Sequence, residues 1–305
     1  MKKYILFLLA FLGLTLQGIQ AQSRKLLSQY HTIPGYFNPS LTALGGSEIK
    51  GLVRNQWGPL SSNPKSFFLG ADIEFSDFSG TGATVVEGKN AMGFALLTDS
   101  HGAFRENQLL VNYATRIRIA EKANVRLGAG VFYQGVRLDG NQLTFEQQND
   151  PKLSEYLGKV SDQQFLDFNL GIGLTHPNYY FGYSIQRVNS GKISSGDSFL
   201  DKFPKEHLIQ AGYRHEITED FQFSTDLLFR SWEGGRDILD INLKVLMKET
   251  FWLGFGHRFD FTSNIQGGVK FKRFAFGYVY EFPSSDNYLL PGNIQEFMLT
   301  YQIGK

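Results

Sequence analysis

Nine charged residues fall on one parity of segments that otherwise alternate between apolar and polar side chains: Arg54, Asp72, Glu74, Arg116, Arg118, Arg126, Asp226, Lys244 and Glu281. If those segments are extended, all nine point to the same side of a sheet. Charges of both signs gathered there can neutralise one another as the lining of a polar lumen, or they can grip a charged guest. Arg116, Arg118 and Arg126 are the candidates for holding an acidic or carboxylate-bearing guest, because guanidinium groups bind carboxylates bidentately.

Covalent chemistry finds little footing. The chain has no Cys, which excludes a thiol nucleophile, a disulfide scaffold and Cys-based zinc sites. The six His residues lie far apart, with no HxH or HExxH spacing, and neither GxSxG nor a spaced Ser–His pair occurs. The paired glycines Gly128 and Gly130, or Gly171 and Gly173, fall inside extended segments and make room in a lumen rather than cradle a phosphate. We therefore expect no catalytic residue, no cofactor and no metal site. A formal charge of +1 gives no electrostatic case for nucleic acid.

The elements that must position these residues are strands. The chain has 305 residues, 28 Phe, 14 Tyr and 33 Gly, a strand-favouring mixture, and its mean hydropathy of −0.21 argues against a bundle of membrane helices. Period-2 alternation recurs in about fourteen segments, near 47–57, 66–75, 91–98, 107–119, 124–137, 165–176, 178–187, 206–215, 219–230, 238–248, 250–258, 266–272, 274–282 and 293–303. The most telling is "FAFGYVYEF", residues 274–282, where Phe274, Phe276, Tyr278, Tyr280 and Phe282 alternate with Ala275, Gly277, Val279 and Glu281. An aromatic face opposite a small or charged one suits a strand with one side in lipid and the other in a lumen.

Most segments approach the ~9–11 residues that a tilted strand needs to cross a bilayer. Joins after even-numbered segments are short, "AEKA", "HPN", "ITED", "E" and "R", while those after odd-numbered segments include 138–164 and 188–205. Short periplasmic turns alternating with longer outer loops are what an outer-membrane barrel shows. The join at 76–90 breaks that rule. The expected fold is thus an all-β, transmembrane antiparallel β-barrel of about fourteen strands with a short N-terminal periplasmic arm. A soluble β-sandwich or propeller with an aromatic core is the competing fold.

Three regions follow. Residues 1–21, with Lys2 and Lys3 ahead of an apolar run from Tyr4 to Leu16 and small or polar residues ending at Ala21, read as a secretory signal peptide cut near Ala21. Residues 22–46 do not alternate, carry Pro34 and Pro39, and read as an arm or plug docked through Tyr30, Tyr36 and Phe37. Residues 47–305 are the barrel. The expected location is the outer membrane, in contact with its lipid.

Both ends of the mature chain resemble one family. Gln29-Tyr30, Asn38-Pro39, Ala43, Gly45, then Arg54-x-Gln56-Trp57, then Pro64-Lys65, and finally "FGYVYEF" around Tyr278 and "GNIQEFMLTY" around Glu296, are similar in order and spacing to PorP/SprF outer-membrane proteins of Bacteroidota. Glu281 stands where the family commonly has Asp, and Ile294-Gln295 where it commonly has Ser-His. The resemblance implies a non-enzymatic role in type IX secretion and gliding motility: a barrel partner that receives the C-terminal domain of a secreted or surface-anchored, adhesin-like protein, beside secretion-machinery proteins or outer-membrane lipoproteins. Arg54 and Trp57 would tie the first strand to the arm. The alternative is a small-molecule or fatty-acid-type channel, and a lipid hydrolase is a third option that lacks its Ser–His pair.

Overall fold

The computed structural model describes residues 26–56, 63–77, 89–143, 155–200, 203–283 and 292–303; the expected signal peptide and Trp57 lie outside them. Fifteen strands build one antiparallel sheet: β1 (Glu48–Gln56), β2 (Lys65–Glu74), β3 (Lys89–His101), β4 (Phe104–Arg118), β5 (Asn124–Asp139), β6 (Val160–Thr175), β7 (Tyr179–Gln186), β8 (Ile193–Gly196), β9 (Glu206–Thr218), β10 (Phe221–Trp232), β11 (Ile238–Met247), β12 (Phe251–Arg258), β13 (Thr262–Phe271), β14 (Phe274–Pro283) and β15 (Ile294–Gln302). β1 pairs with β15 from Glu48↔Gln302 to Gln56↔Ile294, and the ring is complete through β5–β6. β7 pairs with one half of β6 and the short β8 with the other, so these two share one position in the ring. The result is a closed barrel of fourteen staves, as the alternation predicts. Among the described residues no helix is long and apolar enough to cross a membrane.

The outer wall shows why the sheet closes. Lipid offers no partner to backbone N–H and C=O groups, so only a ring satisfies them all. Phe274, Phe276, Tyr278 and Phe282 project outward and stay exposed, whereas Val279 and Glu281 on the other parity are fully buried. Cross-strand ring pairs tie this surface together: Tyr278 faces Phe297 and Phe274 faces Tyr301, with centroids 4.8 and 4.9 Å apart. Leu109, Tyr113, Leu127, Val131, Leu170 and Ile172 continue the apolar belt on β4–β6.

The two rims differ. One carries the joins 119–123, 176–178, 219–220, 248–250 and 272–273, with 75–88 as the long exception. The other carries 57–64, 140–159, 187–205 and 284–293 along with shorter ones. By this asymmetry the short-turn rim faces the periplasm.

Several strands are longer than the alternation suggests. β3 and β4 meet in a two-residue turn at Gly102-Ala103, and β6 begins at Val160 instead of 165. Added residues such as Arg105, Asp162 and Gln164 lie at the outer end, where the outward side chains become polar. Above the hydrocarbon both faces of the sheet meet water, so the apolar–polar contrast disappears while the pairing continues.

The arm expected at the periplasmic end runs inside the barrel. Residues 26–47 descend the lumen from the outer end to the short-turn end and there enter β1. Pro34 and Pro39 open two short helical turns, at Pro34–Phe37 and Pro39–Leu41, where their missing N–H costs nothing. Between them Asn38 is extended, and its Oδ1 accepts from Ser40 N at 3.0 Å. Leu27, Tyr30, Ile33 and Phe37 form a core with wall residues that include Leu52, Phe68, Leu97, Leu110, Leu208 and Leu228. A barrel that is apolar outside thus also holds an apolar core within.

Candidate functional site: the clamped arm and the lumen mouth

At the outer end of the lumen, Arg54 of β1 donates to Glu296 of β15 and, at 3.0 Å, to Glu281 of β14. Arg258 of β12 pairs with Glu281 at 3.0 Å and with Asp240 of β11 at 2.6 Å, and Arg230 of β10 closes the chain on Asp240 at 2.8 Å. Three guanidinium groups and three carboxylates, all nearly inaccessible, balance one another across six strands. A buried ion needs that compensation, because each uncompensated charge costs several kcal/mol.

This ladder also holds the arm. Glu296 accepts from the Ser28 amide at 2.8 Å and from the Gln29 amide at 3.1 Å. Glu281 accepts from the Ser28 and Thr262 hydroxyls, Asn242 donates to Ser28 O at 3.1 Å, and Arg258 donates to Leu26 O at 3.3 Å. The Tyr30 hydroxyl donates to Asp226 O at 2.7 Å and reaches Asp240 O at 3.2 Å. An irregular strand of chain has no internal ladder, and the wall supplies the partners its backbone lacks.

Further down, Asn112 donates to Gly35 O at 2.7 Å, Ser184 to Phe37 O at 2.8 Å and Gln186 to Tyr36 O at 2.9 Å. Arg126 donates from Nε to Ser40 O at 2.7 Å and from Nη2 to Thr42 O. A trough of glycines lets the arm lie against the wall. A side chain on Gly128 would strike the Pro39–Ser40 backbone, and one on Gly171 would strike Asn38 Oδ1.

The charged residues singled out from the sequence divide by height. Arg54 and Glu281 belong to the outer clamp. Asp72 pairs with Lys50 at 3.0 Å and Glu74 with Arg116 at 2.8 Å. Asp226 accepts from the Tyr180 hydroxyl at 2.8 Å, and Lys244 lies over the Trp252 ring at 5.3 Å. Arg116 and Arg126 are directly opposed across β4–β5, whereas Arg118 is exposed at the rim and donates to Ala120 O.

The motif residues converge in a similar way. Gln29, Tyr30, Asn38 and Pro39 lie in the lumen, and Gln56 ends β1, its N–H donating to the carbonyl of the buried Pro64 at 3.0 Å. Lys65 opens β2 on an exposed face, and Tyr278 faces outward. Glu296 meets Arg54, which brings the first and last motifs into one hydrogen-bonded unit. Sequence reading misses Arg230, Asp240 and Arg258. Their inward parity near strand ends is a signal, but only the strand register shows that they meet. No group of three or more potential metal ligands occurs among the described residues.

A closed β-barrel with an apolar exterior and a lumen filled by its own arm defines an outer-membrane barrel protein. Its fold is similar to that of the Pseudomonas putida toluene transporter TodX, with a TM-score of 0.52 and 9% identity over 91% of this chain and 93% of that one. It is also similar to the CymD monoaromatic hydrocarbon channel, with a TM-score of 0.50 and 12% identity over 92% and 94% of the two chains. At such identities the likeness is one of fold alone. The sequence profile of the PorP/SprF family, type IX secretion system membrane proteins, matches residues 19–301, and the chain belongs to that family. No curated protein sequence matches it.

Proposed function

We propose that this barrel binds the C-terminal domain of a secreted or surface-anchored protein at the outer face of the outer membrane, and so serves its export or retention. Membership of a type IX secretion family supports a place in that system. The observation that carries the finer reading is the filled lumen: residues 26–47 occupy the space a solute would need, while the long joins 140–159 and 187–205 gather on the opposite rim from the short turns. Docking then uses the outer joins and the strand ends beside them, where Val160 of β6 and Ile193 of β8 are exposed. In this reading Arg54, Arg126 and Asp226 act through the arm they hold. The N-terminal 21 residues direct export and are removed near Ala21.

Affinity purification from native outer membrane tests the reading. A large secreted polypeptide should co-purify, and shortening 197–205, which follows the wall strand β8, should release it while the barrel stays folded. Recovery of the barrel alone would count against the proposal. A diffusive channel, as TodX and CymD are by name, predicts a wild-type barrel that conducts in planar bilayers.

A further inference from the structure

The charge balance at the outer end of the lumen is not repeated at the periplasmic end. A cavity of about 430 Å³ opens there between the short-turn rim and the foot of the arm, lined by Arg116, Glu121, Lys122, Arg126, His176 and Arg214 among others. Arg116 is balanced by Glu74 at 2.8 Å, and Lys122 stands next to Glu121 in the same turn. Arg126 and Arg214 have no carboxylate within ion-pair distance among the described residues; Asp226, on the strand beside Arg214 and two residues further into the lumen, accepts from Tyr180 and interacts more strongly with Lys244 than with Arg214. Asp72, on the neighbouring wall, is taken up by Lys50.

Arg126 is the more demanding of the two. It is 4% exposed, its Nε and Nη2 are spent on uncharged arm carbonyls, and the residue directly opposite it in the sheet is another arginine. Like charges facing each other across a ladder destabilise it, and a buried cation without a counter-charge costs several kcal/mol. Arg126 and the exposed Arg214 line the same cavity.

We infer that this cavity is an oxyanion site, open to the periplasm, for a phosphate group of charge near −2. Two positive charges remain after local pairing, which fits the roughly −1.5 to −2 of a phosphate monoester at neutral pH better than a carboxylate. Free guanidinium edges are suited to phosphate oxygens. The phosphate could belong to a soluble ligand or to a lipid headgroup at the rim. The inference is independent of the secretion reading, since it requires no protein partner.

The test uses the full chain in phosphatidylcholine nanodiscs and radiolabelled inorganic phosphate in equilibrium dialysis. Saturable binding at one site per chain is expected, weakened at least tenfold by Arg214→Gln and unchanged by Arg236→Gln at the outer rim. Arg214 is exposed and anchors no other residue through its side chain, so the variant should fold, with heat-dependent gel mobility as the check. Arg126→Gln should also lose binding; if it fails to fold, the Arg214 result decides alone. Phosphatidic acid in the nanodisc that competes with phosphate assigns the site to a lipid headgroup, and absence of competition assigns it to a soluble ligand. No saturable binding to the folded wild type, or equal binding by Arg214→Gln, would overturn the inference.

Discussion

Arg54 is the residue on which the lumen arrangement turns. It touches both carboxylates that receive the arm, so its removal leaves Glu281 and Glu296 competing for Arg258 and the arm amides. Breaking a buried pair in this way costs about 3–5 kcal/mol. Arg54→Met should therefore loosen residues 26–30, read as faster proteolysis of the arm in an otherwise intact barrel. Replacing Glu296 by Gln in the same chain should cost less than the two single changes together, because the partners lost are shared. Tyr30→Phe keeps the packing and removes only the hydroxyl that reaches Asp226 O and Asp240 O. A loss of about 1–2 kcal/mol in arm docking is expected, and a loss as large as that of Arg54→Met would contradict the assignment of the clamp to the charge ladder.

At the scale of elements, the staves and the arm are held by different physics, and that explains what could be read in advance. The staves follow from a contrast visible in every short window: Phe274, Phe276 and Tyr278 against Ala275, Gly277 and Val279. Where the contrast fades above the hydrocarbon, at Arg105 or Asp162, the strand ends are misjudged although the strands are not. The path of the arm has no such local sign. It depends on Gly128, Gly171 and Gly182, the last of which also leaves room for the Asn38 side chain; they lie on three different strands and become a trough only when the sheet is in register. The convergence of Arg54 with Glu296 is hidden for the same reason, since the two lie 242 positions apart. Gly171→Leu should displace Asn38 and Pro39 from the wall. Planar-bilayer recordings should then show conductance that the wild type lacks, and a silent variant would mean that the arm can seat elsewhere.

At the scale of the whole molecule, the barrel is asymmetric in three respects: join length, charge compensation and the direction of its arm. The charges of the outer clamp are paired within it, whereas the short-turn end carries the arginine-lined cavity. Shortening 197–205 should thus abolish association with a secreted partner without affecting phosphate binding, and Arg214→Gln should do the reverse. N-terminal sequencing of the mature protein should begin near Gln22; a chain retaining Lys2 and Lys3 would overturn the signal-peptide expectation.

The seam between the first and last staves has a kinetic consequence. Glu296, carried by the last strand of the ring, grips amides of the arm that precedes the first, and its neighbour across the seam is Arg54. Zipping β15 onto β1 and capturing residues 28 and 29 are therefore expected to be one event. With the arm enclosed this closely, protection of residues 26–30 from protease should rise together with seam closure during membrane insertion, and protection that lags behind closure would mean that the wall forms around an empty bore.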